Sequence, residues 1–148
     1  IYAMVLNDAD ADELTQEVFL RVSNHIVAFR RESKFSTWLY RICMNTTRSF
    51  LRSKGRNPVK TTDELPEQSD GAAGPRESVM AGEMDRRIQG ALASLSPVLR
   101  GAITLTGIQG MSVGEAARAE GCLTATMYWR VHEARRILKH KLAEYIQS

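Results

Sequence analysis

Between residues 8 and 27 the apolar residues recur with the period of an α-helix, which predicts a helix with one buried face. At about 100° per residue, one arc of this helix collects the apolar residues Leu14, Val18, Phe19, Val22 and Ile26. The opposite arc holds Glu13, Gln16, Glu17 and Leu20. A leucine is out of place on a solvated polar face, so this arc indicates a surface that contacts another molecule.

A second helix is predicted after the short polar connection FRRESK. Ser36 or Thr37 is suited to cap this helix, which ends near Gly55 and Pro58. Its inner arc contains Leu39, Ile42, Cys43, Thr46 and Phe50, and its outer arc contains Thr37, Arg41, Asn45, Arg48 and Arg52. Trp38 lies at the edge between the two arcs.

The C-terminal part of the chain has the pattern of a helix-turn-helix. Ser96 and Pro97 suit the N-cap and first position of a helix that ends at Gly110. The sequence SVGE, from Ser112, is a capping box for a short helix; Gly121 then supplies a turn, and a longer basic helix follows. The longer helix has a core arc of Met127, Val131, Ala134, Leu138 and Leu142 and an outer arc of Tyr128, Trp129, His132, Arg136 and Lys139.

Between these helical parts, residues 56–82 are rich in Pro, Gly, Ser, Ala and acids and have no apolar period, which predicts a flexible acidic linker. The predicted fold class is all-α, with two small helical domains, 1–55 and 83–148, joined by this linker. The chain opens on IYAMVLN, which has the pattern of the end of a helix, so we expect the first domain to be N-terminally incomplete.

Charge is distributed in blocks along the 148 residues, although the formal net charge is only +3. Residues 8–17 contain five acids and no base, whereas residues 30–60 contain nine Lys or Arg and one acid. Residues 61–85 contain seven acids and one base. Blocks of alternating sign predict surfaces with different partners.

Catalytic and metal-binding motifs are absent from the sequence. There is no glycine-rich phosphate loop, GxSxG, HExxH or Cys-His cluster, so we predict no enzyme, no cofactor and no metal. Cys43 and Cys122 are far apart and are interpreted as two reduced thiols of a cytoplasmic protein. No apolar run approaches the roughly 18 residues of a membrane span, and no signal peptide is apparent, so we expect no direct membrane insertion.

Two interpretations of the sequence RESKFSTWLYRI remain open from its chemistry alone. Arginines on one helix face can neutralise phosphates, and neighbouring rings can stack on unpaired bases, which would suit DNA that is being opened. Alternatively, Phe35 and Trp38 belong to the core, and Arg41, Arg48 and Arg52 only solubilise a helix face.

These segments, in this order, resemble the sigma-70 family, and within it the extracytoplasmic-function (ECF, group 4) sigma factors. DADADELTQEVFLRV is similar to the family's helix that binds the polymerase clamp, and FRRESKFSTWLYRICMNTTRSFLR is similar to its promoter-melting and −10-recognising segment. LASLSPVLRGAITLTGIQGMSVGEAARAEGC followed by TATMYWRVHEARRIL resembles its −35-recognising helix-turn-helix. The resemblance implies sigma region 2 at 1–55 and sigma region 4 at 83–148.

The resemblance also implies the role of individual residues. The residues implied to bind polymerase are Glu13, Gln16, Glu17 and Leu20. Those implied to contact the −10 element and assist strand melting are Arg31, Glu32, Ser33, Lys34, Phe35, Trp38, Arg41, Asn45 and Arg48. Those implied to contact the −35 element are Thr126, Tyr128, Trp129, Arg130, His132, Glu133 and Arg136. Implied partners are core RNA polymerase, promoter DNA and an anti-sigma factor, which in this family is often membrane-bound.

Some residues depart from the family pattern. Glu13 stands where the family usually has Asp, and Tyr128, Trp129 and Glu133 replace small or basic residues of its recognition helix. The −35 preference of the family is therefore not transferable, although Glu133 could accept a hydrogen bond from a cytosine amino group.

The resulting prediction is a sigma factor that binds core polymerase, recognises −10 and −35 elements and assists promoter melting. One alternative is a sigma-like decoy that occupies an anti-sigma factor; a decoy would be expected to lose Arg41, Asn45 and Arg48, which are present. Another is a plain helix-turn-helix transcription regulator, which leaves QEVFLRV and FSTWLYRI unexplained.

Overall fold

The computed structural model describes residues 1–56 and 75–146, and the side chains of 1–56 and 80–143. All regular structure in these ranges is helical, as predicted. The α-helices are α1 (Tyr2–Val5), α2 (Asp8–His25), α3 (Phe35–Arg56), α4 (Pro75–Ala93), α5 (Pro97–Ile103), α6 (Val113–Glu120) and α7 (Thr124–Ile146). A short 3₁₀ turn (Ile26–Ala28) follows α2, and a π-helical turn (Thr104–Ile108) follows α5.

Helix α2 buries a narrower stripe than its apolar pattern predicts. The Asn7 side chain caps the helix by accepting a hydrogen bond from the backbone N–H of Asp10 at 2.9 Å. Leu14 and Val18 are buried, but the prediction that Phe19 and Ile26 are core residues is wrong, because Phe19 is 69% exposed and Ile26 is also exposed. Among the described helices, α1 and α3 make the main contacts with α2, and the outer edge of its apolar arc remains exposed.

Helix α3 is covered on two sides rather than one. Thr46 is buried on the predicted inner arc, while Thr37, predicted on the outer arc, is buried as well. The reason is that α6 packs on the side of α3 that the sequence assigned to solvent. Met44, on this second covered side, is only 4% exposed.

The C-terminal helices follow the predicted capping pattern. The Ser96 hydroxyl accepts from the N–H of Leu99, and Pro97 occupies the first helical turn. Ser112 and Glu115 form the predicted capping box of α6, and Gly121 ends that helix with a φ of +66°. Helix α7 buries the predicted Met127, Val131 and Ala134. The ends of these helices therefore follow from local sequence.

Helix α4 begins at Pro75, so residues 75–82 of the predicted linker are helical. Proline is well suited to the first helical turn, and side-chain pairs one turn apart then support the helix. One pair joins Arg87 to Glu83, and another joins Gln89 to Asp85 at 2.8 Å. Residues 57–74, which make up most of the predicted linker, lie outside the described residues.

The N-terminal and C-terminal helices share a hydrophobic cluster in this structure. Met4 of α1 and Met44 of α3 are buried in the same cluster as Leu105 and Met127. The guanidinium of Arg100 donates to the carbonyl oxygen of Met4 at 2.6 Å and also to carbonyl oxygens at the end of α4. The predicted picture of two helical units tethered only by a linker therefore misses a direct contact between them.

Candidate functional site

The predicted polymerase-binding face of α2 is open to solvent. Glu13 and Gln16 are exposed, and Glu17 is half-buried and paired with Arg21 at 2.6 Å. Leu20 is 65% exposed, as its position on the polar arc predicted. The equally exposed Phe19 lies next to it, so the surface combines two large apolar side chains with carboxylates. The exposure of Phe19 was not predicted from the sequence, because this residue lies at the edge of the apolar arc.

Three aromatic rings cluster where the loop after α2 meets the start of α3. The ring centroid of Phe29 lies 5.7 Å from that of Phe35 and 5.1 Å from that of Trp38, and Phe35 lies 5.6 Å from Trp38. These separations are those of favourable aromatic pairs. Phe35 remains exposed and Trp38 is half-buried, so the cluster both supports the loop and presents ring surface to solvent. Phe29 was not among the predicted site residues.

The loop between these rings carries four residues that the family resemblance assigns to the −10 element and strand melting. Arg31 has a φ of +56°, a left-handed conformation that is uncommon for a residue with a side chain. Arg31, Glu32 and Lys34 are exposed, and Ser33 is half-buried. The loop therefore places charged side chains at the rim of the aromatic cluster.

A cleft of about 230 Å³ lies between α2 and α3 beside this cluster. It is lined by Arg21, His25, Trp38, Ile42, Asn45 and Thr46. The structure thus brings two of the predicted −10 residues, Trp38 and Asn45, to one concave surface. An amide and an indole on the same wall offer hydrogen bonding and an apolar face to a planar group.

The predicted basic stripe of α3 is partly engaged by α6. Asn45 is exposed, and Arg41 donates to the carbonyl oxygen of Arg118 at 2.7 Å. Arg48 forms an ion pair with Glu120, whose side chain is 1% exposed. Burial lowers the pKa of the Arg48 guanidinium, and the nearby positive charges of Arg130 and Arg52 lower it further.

A second ion pair joins the loop to the helix-turn-helix. Lys34 Nζ lies 2.5 Å from a carboxylate oxygen of Glu115. The hydrogen bond from Lys34, together with those from the backbone and side chain of Ser112, lowers the pKa of Glu115 from 4.5 to about 2. Neither Glu115 nor Glu120 was a predicted site residue, and their distance in sequence from α3 gave no indication of these contacts.

The predicted DNA-facing side of α7 is largely exposed. Tyr128 and Trp129 are 62% and 61% exposed, and His132 and Arg136 are also exposed. Thr126, Arg130 and Glu133 are half-buried. Arg136 donates to Glu133 at 2.6 Å and lowers the pKa of that carboxyl group, while Arg130 lies 3.7 Å from Glu120. The helix therefore presents two large rings and an oriented arginine on one face.

Features of other functional classes are not found in the described residues. Residues 1–56 and 80–143, whose side chains the structure describes, contain no group of His, Cys, Asp and Glu side chains suited to hold a metal ion. Within the same ranges no helix is both long enough and apolar enough to cross a membrane. Cys43 and Cys122 are free thiols, and burial raises the pKa of Cys43.

Comparison with known proteins assigns the family. The family model for sigma-70 region 2 matches residues 1–57, which comprise α1, α2 and α3. The ECF RNA polymerase sigma-E factor of Escherichia coli K12 is 31% identical over 146 residues, covering 93% of this chain and 76% of that relative. The chain belongs to the ECF sigma factor family.

Further relatives agree with this assignment. The ECF RNA polymerase sigma-E factor of Haemophilus influenzae is 30% identical over 142 residues, covering 90% of this ECF sigma factor and 75% of the relative. The sigma factor RpoE from Bartonella quintana, solved in complex with the anti-sigma factor NepR, has the same fold, with a TM-score of 0.76 at 24% identity over 96% of this chain and 86% of that one. CnrH in complex with the cytosolic domain of CnrY has a TM-score of 0.68 at 25% identity over 93% and 74% of the two chains.

Family membership confirms the resemblance drawn from the sequence. Sigma factors are non-enzymatic transcription initiation factors, which agrees with the prediction of no enzyme. The roles of single residues in this ECF sigma factor stay predictions.

Proposed function

We propose that this ECF sigma factor binds core RNA polymerase through α2, recognises the −10 element with α3 and its preceding loop, and recognises the −35 element with α7. The composition of the surface formed by α3 and its preceding loop supports this proposal most directly. There the Phe29, Phe35 and Trp38 rings lie beside the exposed Arg41 and Asn45. Rings next to cations and amides suit single-stranded DNA, because bases stack on the rings while the cations neutralise phosphates.

The cleft between α2 and α3 adds a specific element to the −10 proposal. A base removed from the duplex must regain the stacking it has lost, which amounts to a few kcal/mol. Trp38 offers an apolar ring face, and Asn45 offers both a donor and an acceptor within the same cleft. We therefore assign to this surface the unpaired −10 strand rather than duplex DNA.

For the polymerase, we propose a docking surface centred on Leu20 and Phe19. Both side chains are exposed on a helix that otherwise presents carboxylates. An apolar centre with a charged rim is the usual composition of a specific protein–protein contact. Glu13 and Gln16 supply the rim, and Glu17 is held in place by Arg21.

For the −35 element, we propose that α7 enters the major groove with Trp129 and Tyr128 near the sugar–phosphate backbone or a thymine methyl group. Arg136 is held by Glu133, so its guanidinium is oriented before DNA arrives. An oriented arginine is suited to a bidentate contact with guanine.

We also propose an anti-sigma factor as a regulatory partner. The similar Bartonella quintana sigma factor was solved with the anti-sigma factor NepR, and CnrH was solved with the cytosolic domain of CnrY. An inhibitor that covers α2 or α3 would block the surfaces assigned above.

In-vitro transcription with purified core polymerase and a promoter library tests the function. The double variant Arg41→Ala with Asn45→Ala should lower open-complex formation, detected by permanganate reactivity of unpaired thymines, on the order of tenfold or more. Polymerase binding should remain unchanged, because α2 is untouched. Arg86→Ala, which removes one exposed cation from α4, is the control and should support normal opening. Equal loss of polymerase binding and opening in the double variant would show that Arg41 and Asn45 are structural.

The same assay separates the alternatives. A sigma-like decoy would bind an anti-sigma factor but start no transcript from any promoter of the library. A plain helix-turn-helix regulator would bind duplex DNA without polymerase, and its binding would not depend on Arg41 or Asn45.

A further inference from the structure

His25 lines the cleft between α2 and α3, but the proposed function gives it no role. The residue lies in the last turn of α2, on the wall that this helix contributes, whereas Trp38 and Asn45 belong to the wall of α3. A histidine near the end of a helix commonly binds the carbonyl groups that are left free there. Each of its two ring nitrogens therefore has to be accounted for separately.

The hydrogen bonding of the His25 ring fixes its tautomer. Nδ1 lies 2.8 Å from the carbonyl oxygen of Arg21, one helical turn earlier. A carbonyl oxygen can only accept a hydrogen bond, so Nδ1 carries the hydrogen and donates it. In the neutral ring Nε2 then has no hydrogen and can only accept. Among the described residues Nε2 has no hydrogen-bond partner, which leaves an acceptor for a ligand in the cleft.

Thr46 is a second polar group of the cleft that lacks a partner. This residue is only 3% exposed, and its hydroxyl group makes no hydrogen bond with the described residues. Buried hydroxyl groups are ordinarily hydrogen-bonded, and an unsatisfied one costs free energy that a polar ligand can recover. Since Thr46 belongs to α3 and His25 to α2, the two unsatisfied groups are independent indications of a ligand.

The size and charge of the cleft suit a nucleotide. Its volume of about 230 Å³ is below the roughly 300–1,000 Å³ of sites for drug-sized ligands, so it suits a single planar base. Arg21, on the same wall as His25, donates through Nε and Nη2 to one carboxylate oxygen of Glu17 at 2.9 and 2.6 Å. Its remaining N–H groups can donate to the phosphate that accompanies a base.

We propose that His25 is a base-contacting residue, and that the cleft selects an unpaired base with an exocyclic amino group, adenine or cytosine. The amino group donates to His25 Nε2, and the Asn45 amide donates to the ring nitrogen beside it. Guanine and thymine carry a carbonyl oxygen in place of this amino group, and that oxygen would face the lone pair of Nε2. The assignment of the cleft to a −10 base rests on the function proposed above, whereas the role of His25 is tested separately.

Base analogues that lack the amino group test this role in the holoenzyme formed from the full chain and core polymerase. The probe is a fluorescent single-stranded non-template oligonucleotide that carries the −10 element of a promoter the holoenzyme transcribes. Each adenine is replaced in turn by purine, and each cytosine by 2-pyrimidinone, so that only the amino group is lost. At one position this loss should weaken binding by about two- to tenfold in fluorescence anisotropy, as expected for one hydrogen bond between neutral groups. The keto counterpart, hypoxanthine or uracil, should weaken binding at that position at least as much.

The variant His25→Asn distinguishes base contact from a structural role. The asparagine amide can still donate to the Arg21 carbonyl oxygen, but no atom occupies the place of Nε2. The ratio of affinities with and without the amino group should therefore fall to about one. His140→Asn, the same change at an exposed position of α7, is the control and should keep the full ratio. Because the ratio is taken within one protein, a partly inactive preparation does not alter it.

Three results would overturn the role of His25. One is the absence of an amino-group effect at every position of the oligonucleotide. Another is an effect of equal size in the His25→Asn variant and the unsubstituted chain. The third is tighter binding of the keto base at the position that depends on His25, which would show that Nε2 donates. None of these results contradicts the proposed function, which fails only if Arg41 and Asn45 prove dispensable for promoter opening.

Discussion

The Arg48–Glu120 pair allows the contact between α3 and α6 to be measured as a free energy. Glu120 is 1% exposed and lies between Arg48 and Arg130, and the Arg48 side chain is 26% exposed. Replacing Arg48 by methionine retains most of the aliphatic stem and removes the charged guanidinium group with its hydrogen-bond donors. Removal of one partner from a buried ion pair typically costs about 3–5 kcal/mol, because the other charge is left buried without compensation. Since Arg130 remains 3.7 Å from the Glu120 carboxylate, we expect Arg48→Met to lower the free energy of unfolding by about 3 kcal/mol, the lower end of that range.

A double-mutant cycle separates the pair from the rest of the contact. The four chains are the unsubstituted protein, Arg48→Met, Glu120→Gln and the double variant, and urea unfolding followed by far-UV circular dichroism gives each free energy of unfolding. In the Glu120→Gln background no buried carboxylate remains, so Arg48→Met should cost at least about 1 kcal/mol less than in the unsubstituted chain. For a chain of this size, Arg48→Met alone should also lower the Tm by roughly 6–12 °C.

The cycle has a clear negative outcome. If Arg48→Met costs the same in both backgrounds, within about 0.5 kcal/mol, the two side chains do not interact in solution. That result would show that the Arg48–Glu120 ion pair does not contribute to the contact between α3 and α6 in solution.

Three further predictions concern α6 and its flanking turn. Ser112→Ala should destabilise the chain by about 1 kcal/mol through loss of the capping box, whereas Ser112→Asn should retain most of the stability, as measured by thermal unfolding. Gly121→Ala should lower the free energy of unfolding by about 1–2 kcal/mol because the φ of Gly121 is +66°. Gly114→Ala, within α6 and with open space around its Cβ position, should be neutral or stabilising. Similar losses of stability at both glycines would contradict the assignment of strain to Gly121. Because the pKa of Glu115 is depressed, its contribution to stability is complete above pH 4.5 and is lost as the pH falls toward 2. The difference in urea midpoint between the unsubstituted chain and Glu115→Gln should therefore shrink over that window. A difference that is still present at pH 2 would show that the Lys34 pair is not its source.

Helices and caps were the part of the fold that the sequence predicted well. Ser96, Pro97, the Ser112 capping box and Gly121 act within three or four residues of themselves, so their consequences are visible in a short window. The same holds for the buried face of α7, where the 3.6-residue period places Met127, Val131 and Ala134 on one side. The family resemblance then supplied the order of the functional segments.

Predictions that depended on distant residues did less well. Phe19 fits the apolar arc of α2, but the width of the buried stripe on α2 depends on the neighbouring helices. These helices leave the Phe19 ring exposed. Thr37 was assigned to a solvent face that α6 covers. Lys34 and Glu115 are separated by 81 residues, so no local pattern could have paired them. The start of α4 at Pro75 was missed because its first turns have no apolar period.

The outer face of α3 explains why a sequence alone could not choose between DNA and protein as its partner. Lysine and arginine pair with a carboxylate by the same charge-assisted hydrogen bonds that they make to a phosphate, so residues suited to one are suited to the other. The carboxylates of α6 belong to the same chain, and a tethered partner competes at an effective concentration that can reach the millimolar range. Single-stranded DNA at ordinary concentration therefore meets a surface that is already neutralised.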